Sequence, residues 1–490
     1  MGILSFLVFS PIIGLVALSL IPKKEDKFIK NSATILNVLP LLASAVLLMQ
    51  YVDNIKVKEA LNWITFEVGD RVLSLHYELA LDGFSLVLIL LTTIVTFLAV
   101  ITSRWQVDKD SRLFYQLLFL LQTGVLGVFA ADNLFLFFIF FEITLVPMFF
   151  LISKWGGKDR EESAFSYVIY NGLGSMILLI AIVTAFVFAG STNFTELQNY
   201  FRENGSLTFQ IGMAIAFLVA FGIKLPIFPL HAWMVKVHVH APIAVVMIHA
   251  GVLLKIGAYG LIKFGVGIFP EGFEAIALFV GILGLVNLLY GAYLAFVQNE
   301  LRTIFAYSSI SHMGIILLGI AALNTAGIQG AIFQSVSHGL IAAMLFFLIG
   351  ALVARTKTTQ LKKLSGLARL TPLLAGFFLV AGLAGLGLPG MSGFISEFTV
   401  FLGIFETMPI VGVIGTLGLI MTVVYMLRAI MNMTYGTYKS TFGEVADLKI
   451  YEILPAFVLL IFIVGIGIFP NVIGNLLQVP IETILTGIGG

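Results

Sequence analysis

The stretch Phe221-Gly222-Ile223-Lys224-Leu225-Pro226-Ile227-Phe228-Pro229 places a lysine inside an apolar segment of membrane length, with a proline two residues later. A second segment repeats the pattern: Gly385-Leu386-Gly387-Leu388-Pro389-Gly390 interrupts it, and Glu397 follows. Ionisable groups in hydrocarbon are costly and usually functional. Matching broken helices in two halves of a chain point to an ion or substrate path. The reading that follows is a protein that moves protons between the two breaks.

Of the 490 residues, 59% are hydrophobic and only 11% charged, against roughly 25% charged in a soluble globular protein. Mean hydropathy is +1.06. Repeated apolar runs of about 20 residues imply spanning helices and exclude a β-barrel, whose strands alternate over about 10 residues. The fold class is an all-α polytopic membrane protein. A net charge of +1 gives no reason to expect nucleic acid. With no cysteine, the chain has no disulfide, no thiol chemistry and no Cys-ligated iron–sulfur cluster of its own. No basic residue precedes the first apolar run, and Lys23, Lys24, Lys27 and Lys30 follow it, so that run reads as a retained span.

Fourteen spans are predicted, with the broken ones seventh (208–230) and twelfth (371–402). Only the loop 52–81 is long, it is rich in acids, and nothing is expected beyond the fourteenth span near 453–470. Loops after odd-numbered spans hold 19 Lys and Arg, Lys439 among them. Loops after even-numbered spans hold 5, namely Lys56, Lys58, Arg71, Arg202 and Lys263. This asymmetry places both termini outside the cytoplasm. Spans four to eight and nine to thirteen form two five-helix repeats, the second inverted, with the broken helix fourth in each. The predicted segments are 1–112 (three helices), 113–270 and 271–436 (the repeats, each a half-channel) and 437–490 (a loop and last helix).

The candidate proton groups, in chain order, are Glu142, Lys224, Lys255, His312, His338 and Glu397. Glu142 sits in Phe140-Phe141-Glu142-Ile143-Thr144, Lys255 in Leu253-Leu254-Lys255-Ile256, and His338 in Gln334-Ser335-Val336-Ser337-His338. Removing a lysine from water disfavours its charged form, and a nearby carboxylate restores it. Such a set titrates as one coupled system, and histidines beside serine hydroxyls extend it. Plainer roles stand beside these: Glu142 as a structural ion-pair partner, Lys224 or Lys255 snorkelling to an interface, His312 and His338 as packing groups, and Glu397 as a first-turn acid. Arg428 reads as structural, and His249 as packing. The G-x-G-x-x-G match at 385–390 lacks a preceding strand and contains Pro389, so no nucleotide site is expected. His231, His238 and His240 lack the partners a metal needs, so none is expected.

Four stretches together resemble the antiporter-like subunits shared by respiratory complex I, multisubunit cation/proton antiporters and membrane-bound hydrogenases. They are Phe141-Glu142-Ile143-Thr144-Leu145-Val146-Pro147-Met148; Lys224-Leu225-Pro226 with Pro229-Leu230-His231-Ala232-Trp233; Gly251-Val252-Leu253-Leu254-Lys255; and Ala306-Tyr307-Ser308-Ser309-Ile310-Ser311-His312-Met313-Gly314. The likeness covers essentially the whole chain. It implies that Glu142 and Lys224 form a coupling pair, that Lys255 carries the proton inward, that His312 and His338 extend the path, and that Glu397 is the terminal site. Glu397 stands where sister subunits carry lysine, which points to a complex I subunit; a multisubunit Na⁺/H⁺ antiporter is the alternative. The resemblance further implies a bacterial plasma membrane, two sister antiporter-like chains as neighbours, and NADH, flavin, iron–sulfur clusters and quinone held by partner subunits. The segment Met234-Val235-Lys236-Val237-His238-Val239-His240-Ala241-Pro242 departs from the family pattern, lacking its usual Leu-Pro-Asp/Lys start and the acid before Ala-Pro.

Overall fold

A computed structural model describes residues 2–68, 71–437 and 445–486; Lys439 lies outside them. The chain opens with α1 (Ile3–Leu20), α2 (Asp26–Leu36) and α3 (Val38–Val52), then β1 (Lys58–Val68) and β2 (Arg71–Ala80). Next come α4 (Gly83–Ser103), α5 (Ser111–Ala130), α6 (Leu134–Ile143), α7 (Leu145–Trp155), α8 (Arg160–Ala189), α9 (Phe194–Asn204) and α10 (Leu207–Lys224). After the first break run α11 (Ala232–His240), α12 (Ile243–Ile248), α13 (Leu254–Gly260), α14 (Pro270–Val297), α15 (Leu301–Ala321) and α16 (Thr325–Thr356). The chain continues with α17 (Pro372–Gly385), α18 (Ser392–Thr407), α19 (Pro409–Thr434), α20 (Ile450–Ile468) and α21 (Asn471–Leu485). Among the described residues, 13 helical stretches are long and apolar enough to cross a membrane. The twelfth predicted span is the exception because it arrives as two short helices, α17 and α18.

The prolines explain the interruptions. Pro226 disfavours helical geometry at Leu225 and offers no N–H, so α10 ends at Lys224. Pro147 cannot donate to the Ile143 carbonyl, and the fifth span is divided at Thr144 into α6 and α7. At the second break Gly387 and Gly390 have φ of +79° and +90°, a region that glycine enters without a Cβ clash.

The chain divides into two compact units. The first comprises Met1–Leu225, Leu253–Ala277 and Leu476–Gly490. Within it α1 packs on α5, α8 on α7 and α10, and α10 on α13. The second comprises Pro226–Val252 and Leu278–Asn475. Its centre is α16, which packs against α12, α15, α17, α18 and α20. Because α16 is enclosed over most of its length, its polar residues Gln334, Ser335, Ser337 and His338 require partners inside the protein.

Three sequence expectations are corrected. The acidic loop 52–81 is an antiparallel hairpin, Lys58 opposite Ala80, with a bulge between Asn62 and Ile64. Its acids hold helix ends. Glu59 accepts from the Leu4 amide at 2.7 Å and the Ser5 hydroxyl at 2.5 Å at the start of α1. Glu78 accepts from Asn133 and Asn193. Lys263 is no loop residue. It lies inside the eighth span, 3% exposed, with its ammonium 2.9 Å from Asp82. Finally, the chain does extend past the fourteenth span: α21 is amphipathic, burying Ile473, Leu477, Ile481 and Ile484, while Gln198 and Arg202 of α9 donate to the Thr483 and Thr486 carbonyls at and just beyond its end.

In the second unit, Arg355 at the end of α16 donates to both Glu452 oxygens, at 3.0 and 2.6 Å, and to the Ala446 and Asp447 carbonyls. The Asp447 carboxylate accepts from the Leu373 and Leu374 amides at the start of α17. Breaking one side of a buried pair costs about 3–5 kcal/mol, whereas apolar replacement of both partners is often neutral. Arg355→Leu should therefore lower the thermal midpoint of the chain in its native membrane. The double change Arg355→Leu with Glu452→Leu should recover most of that loss, as differential scanning fluorimetry can check.

Candidate functional site

In the first unit the break in the fifth span meets the end of α10. Lys224 is 1% exposed. Its ammonium donates to the Thr144 hydroxyl at 3.4 Å and the Tyr167 hydroxyl at 3.5 Å, and lies 4.6 Å from the centre of the Phe141 ring. Its hydrogen-bond partners are thus hydroxyls, with a cation–π contact in addition. Glu142 is half-buried on the last turn of α6, two residues before Thr144, and its Oε1 is enclosed with no hydrogen-bond partner among the described residues. That oxygen retains its capacity to accept a hydrogen bond.

Lys255 is fully buried on α13, with π-helical turns at His249–Leu253 and Leu261–Val266 flanking that helix. Such turns recur at functional sites. The helix is held close to α10 by two glycines. A Cβ on Gly257 would come within 2.7 Å of the Leu225 amide nitrogen, and one on Gly260 within 2.4 Å of Phe221. Lys224 and Lys255 therefore sit on helices that pack backbone to backbone.

The second unit gathers His312, His338 and Glu397. His312 Nε2 lies 3.7 Å from Glu397 Oε1 and 3.1 Å from the Gly385 carbonyl. Its Nδ1 lies 2.8 Å from the Ser308 carbonyl. The ring centres of His312 and His338 are 5.3 Å apart, and His338 Nε2 is 3.2 Å from the Ser309 hydroxyl. The Ser308 hydroxyl is 2.8 Å from that of Tyr425. His312, His338, Glu397, Gln334 and Ser337 line a cavity of about 20 Å³, room for about one water molecule. Glu397 is not in the first turn of α18, which begins at Ser392, so it faces the cavity rather than capping the helix.

Several groups were beyond sequence reasoning. Asp82 caps α4 and meets Lys263, a pairing that nothing local in the sequence signals. His249 faces His238, nitrogen to nitrogen at 2.9 Å. Asn287 receives the Phe228 amide at 2.7 Å and donates to the Pro226 carbonyl at 3.1 Å, tying the first break from α14. His231 packs between Phe228 and Tyr290. Arg428 donates to the Phe296 and Gln298 carbonyls at the end of α14. Among the described residues no three His, Cys, Asp or Glu are grouped to hold a metal ion.

Buried lysines, histidines and carboxylates at broken spanning helices define a class of multi-pass membrane proteins that handle ions within the bilayer. The family model described as NADH:quinone oxidoreductase/Mrp antiporter, TM, matches residues 131–424, and the chain belongs to that family. It is similar to NAD(P)H-quinone oxidoreductase chain 4 of Synechococcus elongatus, 39% identical over 481 residues, covering 96% of this chain and 88% of the relative. It is also similar to the chain 4 of Gloeobacter violaceus, 36% identical over 485 residues, covering 96% and 90%. Among solved structures it matches a chain of respiratory complex I from Thermus thermophilus with bound NADH, with a TM-score of 0.89 and 26% identity over the full length of both chains. A chain of the Mrp complex from Dietzia shares the fold, with a TM-score of 0.84, 20% identity and coverage of 99% and 100%.

At the second break a Cβ on Gly387 would lie 2.5 Å from Glu397 Oε2, and φ there is positive; at Gly376, within α17, a Cβ would meet nothing within 4 Å. Gly387→Ala should therefore cost about 1–3 kcal/mol in backbone strain alone. Gly376→Ala should be neutral or stabilising. Thermal midpoints of the two variants in membranes check the contrast.

Proposed function

We propose that this chain is a proton-translocating subunit in the membrane arm of an NADH:quinone oxidoreductase. The observation that carries this reading is the buried Glu397 beside His312 and His338, around a cavity sized for one water at a proline-broken helix. The chain 4 relatives support the complex I assignment over the antiporter one.

In this reading Glu142 and Lys224 are the coupling pair. A change in the charge of one alters the stability of charge on the other, through a pocket in which Thr144 and Tyr167 hold the ammonium. Lys255 receives the proton, His312 and His338 extend the path, and Glu397 is the terminal site toward the exterior. Segments 113–270 and 271–436 serve as the two half-channels. Moving one charge against 100 mV costs about 2.3 kcal/mol, so the driving change must alter the Glu142–Lys224 equilibrium by at least that scale. The redox energy comes from partner subunits that hold flavin, iron–sulfur clusters and the quinone site. Two sister antiporter-like chains are its neighbours. The excess of Lys and Arg after odd-numbered spans favours a bacterial plasma membrane orientation with both termini outside the cytoplasm.

Glu397→Gln keeps the shape of the side chain and removes its capacity to exchange a proton. In inverted membrane vesicles, NADH-driven acidification should fall by more than half with the complex still assembled. Full acidification would show that Glu397 is dispensable, and a loss confined to Na⁺-induced collapse of a pH gradient would favour the antiporter.

A further inference from the structure

At each proline break a side chain holds a carbonyl that has lost its helical donor, and the two side chains differ in chemistry. In a helix the Gly385 carbonyl would receive the N–H of residue 389, but that residue is Pro389 and has none. A carbonyl without a donor in an apolar interior is costly. At the first break the donor is the side-chain amide of Asn287, which holds the Pro226 carbonyl at 3.1 Å and accepts from the Phe228 amide at 2.7 Å. An amide does not titrate, so that closure is fixed. At the second break the donor to the Gly385 carbonyl is His312 Nε2, at 3.1 Å.

His312 has a further constraint. Its Nδ1 faces the Ser308 carbonyl at 2.8 Å. The nearest polar atom to each ring nitrogen is thus a carbonyl oxygen, which only accepts; the Ser308 hydroxyl stands farther from Nδ1, at 3.4 Å. A neutral imidazole carries one N–H, whereas two donors require the imidazolium. The counter-charge is in place, since Glu397 Oε1 lies 3.7 Å from the same Nε2. Among the described residues that line the cavity, Glu397 is the only Asp, Glu, Lys or Arg. From α16 comes the His338 ring, and from α19 the Tyr425 hydroxyl acting through Ser308. Of α11, which also packs on α15, His238 is turned to His249 and Phe346. From α14, Leu288 meets Ser311 through its carbonyl.

We propose that His312 is a doubly protonated latch on the second helix break. In the closed state its two N–H groups hold the Ser308 and Gly385 carbonyls. When the Nε2 proton passes to Glu397, the imidazolium–carboxylate pair becomes a neutral imidazole and a carboxylic acid. Nδ1 keeps its proton on Ser308. Nε2 then presents a lone pair to the Gly385 carbonyl, the contact turns repulsive, and the turn 386–391 is released. Proton delivery to Glu397 and opening of the break are one event, while the Asn287-tied break stays shut. The inference rests on the proton-translocating reading of the chain and adds the state of His312 and what it holds.

Hydrogen exchange in the assembled complex, in membranes, tests the latch. Protection at the amides of 386–391, corrected for intrinsic rates, should fall about tenfold between about pH 6 and pH 9, spanning the range in which a histidine releases its proton. Protection at 225–230 should stay constant. In His312→Gln, whose side-chain amide can donate but not titrate, protection at 386–391 should no longer respond to pH. A flat wild-type profile at 386–391 overturns the latch, and needs no variant to fold; so does a variant that keeps the wild-type response. NADH-driven acidification by the same His312→Gln vesicles separates the two ideas. Lost acidification with a flat wild-type profile leaves the relay standing and removes the latch, whereas full acidification in the variant removes the relay role of His312 on which the latch rests.

Discussion

Hydrocarbon offers no water to a peptide group that has lost its partner, and each such group costs several kcal/mol. Three interruptions of spanning helices, set by Pro147, by Pro226 with Pro229 and by Pro389, therefore dictate what must surround them. Asn287 answers the first long break, and His312 and the glycines of 385–390 answer the second. At the division between α6 and α7, Thr144 turns its hydroxyl to the Phe141 carbonyl at 2.7 Å and also receives the Lys224 ammonium. At two of the three interruptions, the groups that hold the backbone, Thr144 and His312, also meet the ionisable side chains Lys224 and Glu397. This is why breaks and buried charges occur together in the chain.

A second principle separates the ionisable groups by role. Lys263 with Asp82, and Arg355 with Glu452, are close ion pairs at 2.9 and 2.6 Å. Each also anchors a helix end: Asp82 caps α4 through the Ser85 amide, and Glu452 receives the Lys449 amide at the start of α20. Pairs satisfied this fully have little freedom to exchange a proton. Lys224 is held by hydroxyls and a ring, Glu142 keeps an enclosed oxygen with no hydrogen bond among the described residues, and Glu397 stands 3.7 Å from His312 beside a space for water. Groups held this loosely keep hydrogen-bonding capacity that the two close ion pairs have used.

Much of this was legible beforehand because it is local. Apolar length gives a span, Lys224-Leu225-Pro226 gives a break after the lysine, and Gly387 with Pro389 gives the second break. The hairpin was missed: Leu75, Tyr77 and Leu79 alternate with His76, Glu78 and Ala80, but acidic composition obscured that period. Lys263 was misplaced because a lysine near a span end looks like a loop residue until its partner Asp82, 181 residues away, is known. The pairing of His238 with His249 and the tie from Asn287 to Pro226 are likewise products of tertiary packing, on which local sequence carries no signal. The amphipathic α21 was missed because its apolar residues recur every three or four positions in a segment too polar to span.

The most direct test of the central claim is made on inverted membrane vesicles carrying Lys224→Ala, following NADH oxidation and NADH-driven acidification together, with Na⁺-induced collapse of a pH gradient as the control. If Lys224 lies in the path of a coupled pump, acidification and oxidation both fall while the complex remains assembled. If both are untouched and the Na⁺ response disappears, the chain works as an antiporter and the complex I account is wrong.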